Sequence, residues 1–223
     1  MLDVPEPFWA GPGFAHMSQD AQPIVAQVYT ESTPNPASLK FTTDRILLPR
    51  LIFEAARTDD AAHSPLAEAL FRDFPVIERV FISNNFITLT KMESEEEWFE
   101  LSLHLKPWIK DYIEAGKPIV TDGFLEAQKE ARAARDAKRE NDSEADERIK
   151  ELLDKYVRPA VEMDGGHIAF KSFEDGVVTL IMQGACSGCP SSTVTLKEGI
   201  QSLLQRMVPG VTEVVAEAED ATA

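Results

Sequence analysis

Cysteine is almost absent from this chain: two in 223 residues, Cys186 and Cys189. So low a count excludes a disulfide-built scaffold, and a close pair in a chain without an export signal reads as metal-binding or redox-active. Cations are also scarce. Lys and Arg number 22 against 38 Asp and Glu, a formal net charge of −16. That deficit argues against general nucleic-acid binding, which needs clustered Lys and Arg to displace counterions from phosphates. It also disfavours anionic membrane surfaces, so no membrane partner is expected. Long apolar runs are missing: nothing approaches the roughly 18 residues that mark a membrane span. Residues 1–17 carry no basic stretch followed by an apolar core, and they are neither Arg-rich nor Ser-rich. The resulting expectation is a cytoplasmic protein with neither a secretory signal nor a transit peptide.

The chain that remains is long enough for two small domains. Residues 22–30 have strand character, and Thr33-Pro34-Asn35-Pro36 is a stiff corner, because two prolines fix φ and restrain the residues before them. Leu39–Phe41 resumes as a strand. Ser64-Pro65-Leu66 is a helix start, with Leu66, Leu70 and Phe74 at spacing four and Pro75 as the stop. Val76–Thr90 reads as two strands about the Ser83-Asn84-Asn85 turn. Ser94 and Glu97 have capping-box spacing ahead of Trp98, Leu101, Leu105, Trp108, Ile109 and Tyr112, a helical stripe that Pro107 should kink or split and Gly116 should end.

Residues 123–146 are dominated by Glu, Lys, Arg, Ala and Asp and form a charged helical or flexible linker. Beyond it, Ile149, Leu152, Leu153, Tyr156 and Val157 share one helical face, continued by Val161. Strands follow at about 167–173 and 177–183 around Asp175-Gly176, a two-residue hairpin signal. Leu196, Ile200, Leu203, Leu204 and Met207 form another helical stripe, and Val211–Ala216 is a last strand. The fold class is α+β: two small α+β domains, the second of order α-β-β-α-β. The expected boundaries are a disordered extension over 1–21, a first domain over 22–122, the linker over 123–146, a second domain over 147–217 and an acidic tail over 218–223.

Chemistry concentrates at Cys186-Ser187-Gly188-Cys189, between a strand and a helix opened by Pro190. Backbone N–H groups and the positive end of a helix favour thiolates there. Ser187, Ser191 and Ser192 are candidate hydrogen-bond donors to sulfur, which tunes iron–sulfur centres. An ordinary iron–sulfur or structural zinc site takes four protein ligands. The chain has two cysteines and four histidines, and only His167 lies in the same domain, where it reads as a plain surface residue at a hairpin edge. A homodimer presenting two cysteine pairs across a two-fold axis is the economical solution, and such a site is exposed. The alternatives are a thioredoxin-like thiol–disulfide oxidoreductase using the same pair, and a zinc-bridged dimer. The pair lacks the central Gly-Pro of thioredoxins, and its domain lacks their βαβ start.

Other candidates dissolve on inspection. Glu95, Glu96 and Glu97 are successive helix positions that diverge by about 100° and cannot converge on one ion. Trp98 and Trp108 share a stripe with leucines and read as core. Asp164-Gly165-Gly166 is too short for a phosphate loop.

Met163-Asp164-Gly165-Gly166, Phe173-Glu174-Asp175-Gly176 and Gly184-Ala185-Cys186-Ser187-Gly188-Cys189-Pro190-Ser191-Ser192 resemble the C-terminal domain of Nfu/NifU-type iron–sulfur cluster scaffold proteins over about residues 147–217. The position after the two glycines is usually acidic in that family; here it is His167. Thr33-Pro34-Asn35-Pro36 with Leu39-Lys40-Phe41, Ser64-Pro65-Leu66-Ala67 and Phe86-Ile87-Thr88-Leu89-Thr90-Lys91 resemble the Nfu N-terminal domain. The resemblance implies a non-enzymatic scaffold or carrier that binds iron in a [4Fe-4S] cluster, or a [2Fe-2S] one, held between two subunits by Cys186 and Cys189. Its implied partners are upstream cluster-assembly proteins and the apo-proteins that receive the cluster. The first domain is then a docking module.

Overall fold

The computed structural model describes residues 24–57, 59–93, 96–139, 143–187 and 190–218. The expected extension over 1–21, and the expected tail beyond residue 218, lie outside them. The chain is α+β with two domains, each built on its own sheet and hydrophobic cluster.

The first sheet is antiparallel. Its strands are β1 (Val28–Ser32), β2 (Ser38–Thr43), β3 (Leu48–Ala56), β4 (Ile77–Asn84) and β5 (Phe86–Lys91), in the order β1-β2-β5-β4-β3. Side chains alternate across such a sheet. On one face Phe41 pairs with Ile87, Ile87 with Ile82 and Ile82 with Phe53, and all four are buried. They join Leu66 and Leu70 of α1 (Pro65–Asp73) and Leu105 and Ile109 of α2 (Trp98–Glu114) in one cluster. The Trp98 and Trp108 rings pack half-buried against it.

The Ser64 cap is as expected. Its Oγ accepts from the Ala67 N–H at 3.1 Å and donates to the Ile119 carbonyl at 2.6 Å, tying the helix start to the chain after α2. Ser64→Ala removes the cap and leaves the half-buried Ile119 carbonyl without this donor, so the expected cost is about 2 kcal/mol in a urea-unfolding comparison.

Four expectations about elements change. β1 begins at Val28, later than residue 22. β3 is an additional strand: Pro49, an Arg50 at φ 59° and a register shift between Leu48 and Ile52 interrupt its alternation, features tolerated because β3 is a sheet edge. α2 begins at Trp98 with Glu97 at the cap position and no side-chain cap bond, so the Ser94–Glu97 box does not set its start; Ser94 itself lies outside the described residues. Pro107 does not split α2, because Leu103, whose carbonyl loses its donor, sits on the exposed face.

The charged segment is helical in α3 (Asp122–Arg139). In the second domain α4 (Glu144–Leu152), capped by Ser143, runs through one π turn (Leu153–Val157) into α5 (Arg158–Met163). The π turn falls just before Pro159, which cannot donate a backbone hydrogen bond. β6 (Gly166–Glu174) and β7 (Val177–Gly184) form the hairpin, with Asp175 and Gly176 at φ 50° and 85° as a two-residue turn requires. α6 (Pro190–Met207) then crosses over to β8 (Glu213–Ala218), which pairs parallel with β7. Val178, Leu180 and Met182 alternate inward from β7 to meet Ile149, Val161, Ile200 and Leu204. Met207, expected on the apolar stripe, is exposed; Val208 takes the buried place.

Candidate metal centre

The cysteine loop leaves the end of β7 and meets α6 at Pro190. Its start is fixed by backbone bonds. The Ala185 N–H donates to the Gly165 carbonyl at 3.2 Å, and the Ser187 N–H donates to the Gly184 carbonyl at 3.1 Å. The Ser187 hydroxyl also donates to the Gly184 carbonyl, at 2.9 Å, so its single proton is spent there and not on sulfur. Gly184 turns the chain at φ 68°.

Cys186 is only 7% exposed and belongs to the hydrophobic cluster of the second domain, which corrects the expectation of an exposed thiol at this position. The cause lies in Gly166. A Cβ built there would fall 2.6 Å from the Cys186 Sγ, so the bare glycine makes the space that the sulfur fills. Cys189 and Gly188 lie outside the described residues, as do the side chains of Ser191 and Ser192. Among the described residues, no three His, Cys, Asp or Glu side chains converge as a metal site.

His167 is not a plain surface residue. It is half-buried on β6 opposite Gln183, and its Nδ1 is buried without a hydrogen-bond partner. Burial, helped by the Arg158 charge, pushes its pKa down to about 4. It is therefore a neutral imidazole at neutral pH.

The first domain touches this same loop, which reading the sequence missed. Asn35 Nδ2 donates to the Ala185 carbonyl at 3.2 Å, one residue before Cys186. Lys40 Nζ donates to the Met163 carbonyl at 3.1 Å, and Thr88 Oγ1 donates to the Gly165 carbonyl at 2.7 Å. All three lie in the segments of the first domain that stood out in the sequence: the Thr33-Pro34-Asn35-Pro36 corner, Leu39-Lys40-Phe41, and Phe86–Lys91. For Lys40 and Thr88, a polar residue set between apolar ones on a strand was the available signal.

An α+β second domain with a Cys-x-x-Cys loop between strand and helix, preceded by a five-stranded antiparallel sheet domain, defines a class that comparison with known proteins makes specific. Residues 149–215 match the NifU-like domain family, and residues 28–116 match the family described as "Scaffold protein Nfu/NifU N terminal". The human protein named "NFU1 iron-sulfur cluster scaffold homolog, mitochondrial" is 40% identical over 196 residues, which cover 86% of this chain and 74% of the human one. A Drosophila persimilis protein of the same name is 42% identical over 195 residues, covering 87% of this chain and 66% of its own. "NifU-like protein 5, mitochondrial" of Arabidopsis thaliana is 42% identical over 187 residues, covering 82% and 65%. The chain belongs to the Nfu/NifU family. It spans about three quarters of the human relative and just under two thirds of the other two. These relatives also correct the expected cytoplasmic location, since all three are named as mitochondrial proteins. Among the described residues no helix is long and apolar enough to cross a membrane.

Proposed function

We propose that this chain is an iron–sulfur cluster scaffold or carrier, not an enzyme, with Cys186 and Cys189 as its ligands. The observation that supports it is the placement of the chain's only two cysteines in one loop of the NifU-like domain, leading from the end of β7 to the start of α6. The cargo is a [4Fe-4S] cluster shared by two copies of the chain; two such pairs also suit a [2Fe-2S] cluster. Upstream assembly proteins load it, and apo-proteins receive it. Transfer is ligand exchange: an acceptor thiolate forms a new iron–sulfur bond as the bond to Cys186 or Cys189 breaks, and the departing thiolate takes up a proton. The working units are a docking domain over 22–122, a spacer over 123–146 and a cluster domain over 147–217. The names of the relatives, which call them iron–sulfur cluster scaffolds, support the scaffold reading.

Anaerobic incubation with ferrous iron and sulfide tests it. Wild type is expected to turn brown, and Cys186→Ala and Cys189→Ala each to stay colourless while keeping the wild-type far-UV circular dichroism. A colourless wild type that catalytically reduces a disulfide substrate would overturn the proposal.

A further inference from the structure

The outer face of the first sheet carries one residue from each strand in a single straight row. Glu31 pairs with Lys40, Lys40 with Thr88, Thr88 with Phe81, and Phe81 with Glu54. An antiparallel sheet of this kind ordinarily leaves such a face to water. Here it is covered from Lys40 onward, Glu31 at the edge staying exposed: the side chains of Lys40 and Glu54 are only 9% and 11% exposed, and Phe81 is fully buried. Buried polar groups need partners: within the first sheet Glu31 pairs with Lys40 at 3.0 Å and Arg79 with Glu54 at 3.4 Å, and the second domain's main chain supplies the rest. Lys40 and Thr88 donate to the carbonyls of Met163 and Gly165, and Asn35, from the adjoining corner, donates to that of Ala185. The Gly184 N–H donates to Glu54 Oε1 at 3.1 Å. Three donors thus meet three carbonyls, and one carboxylate meets one N–H. The glycines allow the approach. A Cβ at Gly165 would lie 2.8 Å from Thr88 Oγ1, and one at Gly184 would lie 3.0 Å from the Phe81 ring.

We propose that this cross-strand row, with Asn35, is a built docking face for the cysteine loop of the same chain, and that release of the loop from it governs access to Cys186. The face grips Gly184 and Ala185, the two residues directly before Cys186, so these bonds must break before the loop can lift the thiol out of the second domain's own cluster. A small polar contact between domains is of the reversible kind. The docking module of the first domain therefore has an internal client, the loop itself. The consequence for cluster loading and handover rests on the scaffold reading above. Thiol access does not, because it is measured on the iron-free protein.

The test is the rate of Cys186 alkylation by iodoacetamide in the full-length, reduced, iron-free chain, read by fragment-ion mass spectrometry that separates Cys186 from Cys189. Thr88→Val keeps the side-chain shape and removes the bond to Gly165; Asn35→Ala removes the one to Ala185. Each is expected to raise the rate about tenfold, the effect of losing one good buried hydrogen bond. Ser38→Ala is the control, because Ser38 bonds Thr90 within the first sheet; its rate should match wild type. Circular dichroism and tryptophan fluorescence screen each variant, and Glu54→Ala, which removes the acceptor of the Gly184 N–H and has the same expected direction, replaces any that fails to fold. Unchanged rates in the docking-face variants would overturn the proposal. An equal rise in Ser38→Ala would also overturn it, as would protection that fades on dilution, since the face would then act between copies.

Discussion

Gly184→Ala is expected to destabilise the protein by about 4 kcal/mol, the sum of a left-handed backbone conformation imposed on an L side chain and of overpacking against atoms that cannot retreat. Gly184 sits at φ 68°. A Cβ there would fall 2.7 Å from the Gly165 carbonyl oxygen and 3.0 Å from the Gly166 Cα, both backbone atoms. Gly199 provides the contrast. It is an exposed position inside α6 where an added Cβ meets nothing within 4 Å. Gly199→Ala should stabilise by roughly 0.5–1 kcal/mol, through helix propensity and a less flexible unfolded chain. Urea unfolding of the two variants beside wild type checks both signs. Equal midpoints for Gly184→Ala and wild type would show that the turn next to the cysteine loop is not held as described.

The second large effect is a pH dependence traceable to His167. Its pKa is about 4 in the folded protein, against about 6.5 for an unperturbed imidazole. The folded state therefore prefers the neutral ring. Above pH 6.5 its contribution is complete. Between 6.5 and 4 the unfolded chain binds a proton that the folded one resists, and stability falls by about 1.4 kcal/mol per pH unit. From pH 7 to pH 5 the loss assignable to His167 is about 2 kcal/mol. His167→Gln should lose that much less over the same interval. Carboxylates titrate alike in both proteins, so the difference between the two stability curves isolates the imidazole. Parallel curves would refute the burial argument.

Much of the architecture was legible because single residues impose local geometry. Ser64-Pro65 announces α1, Gly116 at φ 63° ends α2, and Asp175-Gly176 makes the β6–β7 hairpin. β3 was not legible, because Pro49 and the bulge beside it break the two-residue period on which strand recognition depends. At the cysteine loop, the pair and the helix that follows could be read directly. The burial of Cys186 could not, since it depends on space vacated by Gly166, twenty positions away. The docking row was hidden for a related reason. Glu31, Lys40, Glu54, Phe81 and Thr88 become neighbours only through the register of five strands, and no local window contains that register. His167 reads as a surface residue until Arg158 and the β6–β7 pairing close around it.

The proposed cluster is owned in halves by two chains. Iron and sulfide content measured together with native mass, on the anaerobically reconstituted protein, tests it most directly. About four irons and four sulfides are expected in a species of two chains, falling apart to single chains when the iron is chelated. A complete centre carried by one chain alone, or a two-chain species holding no iron, would contradict it.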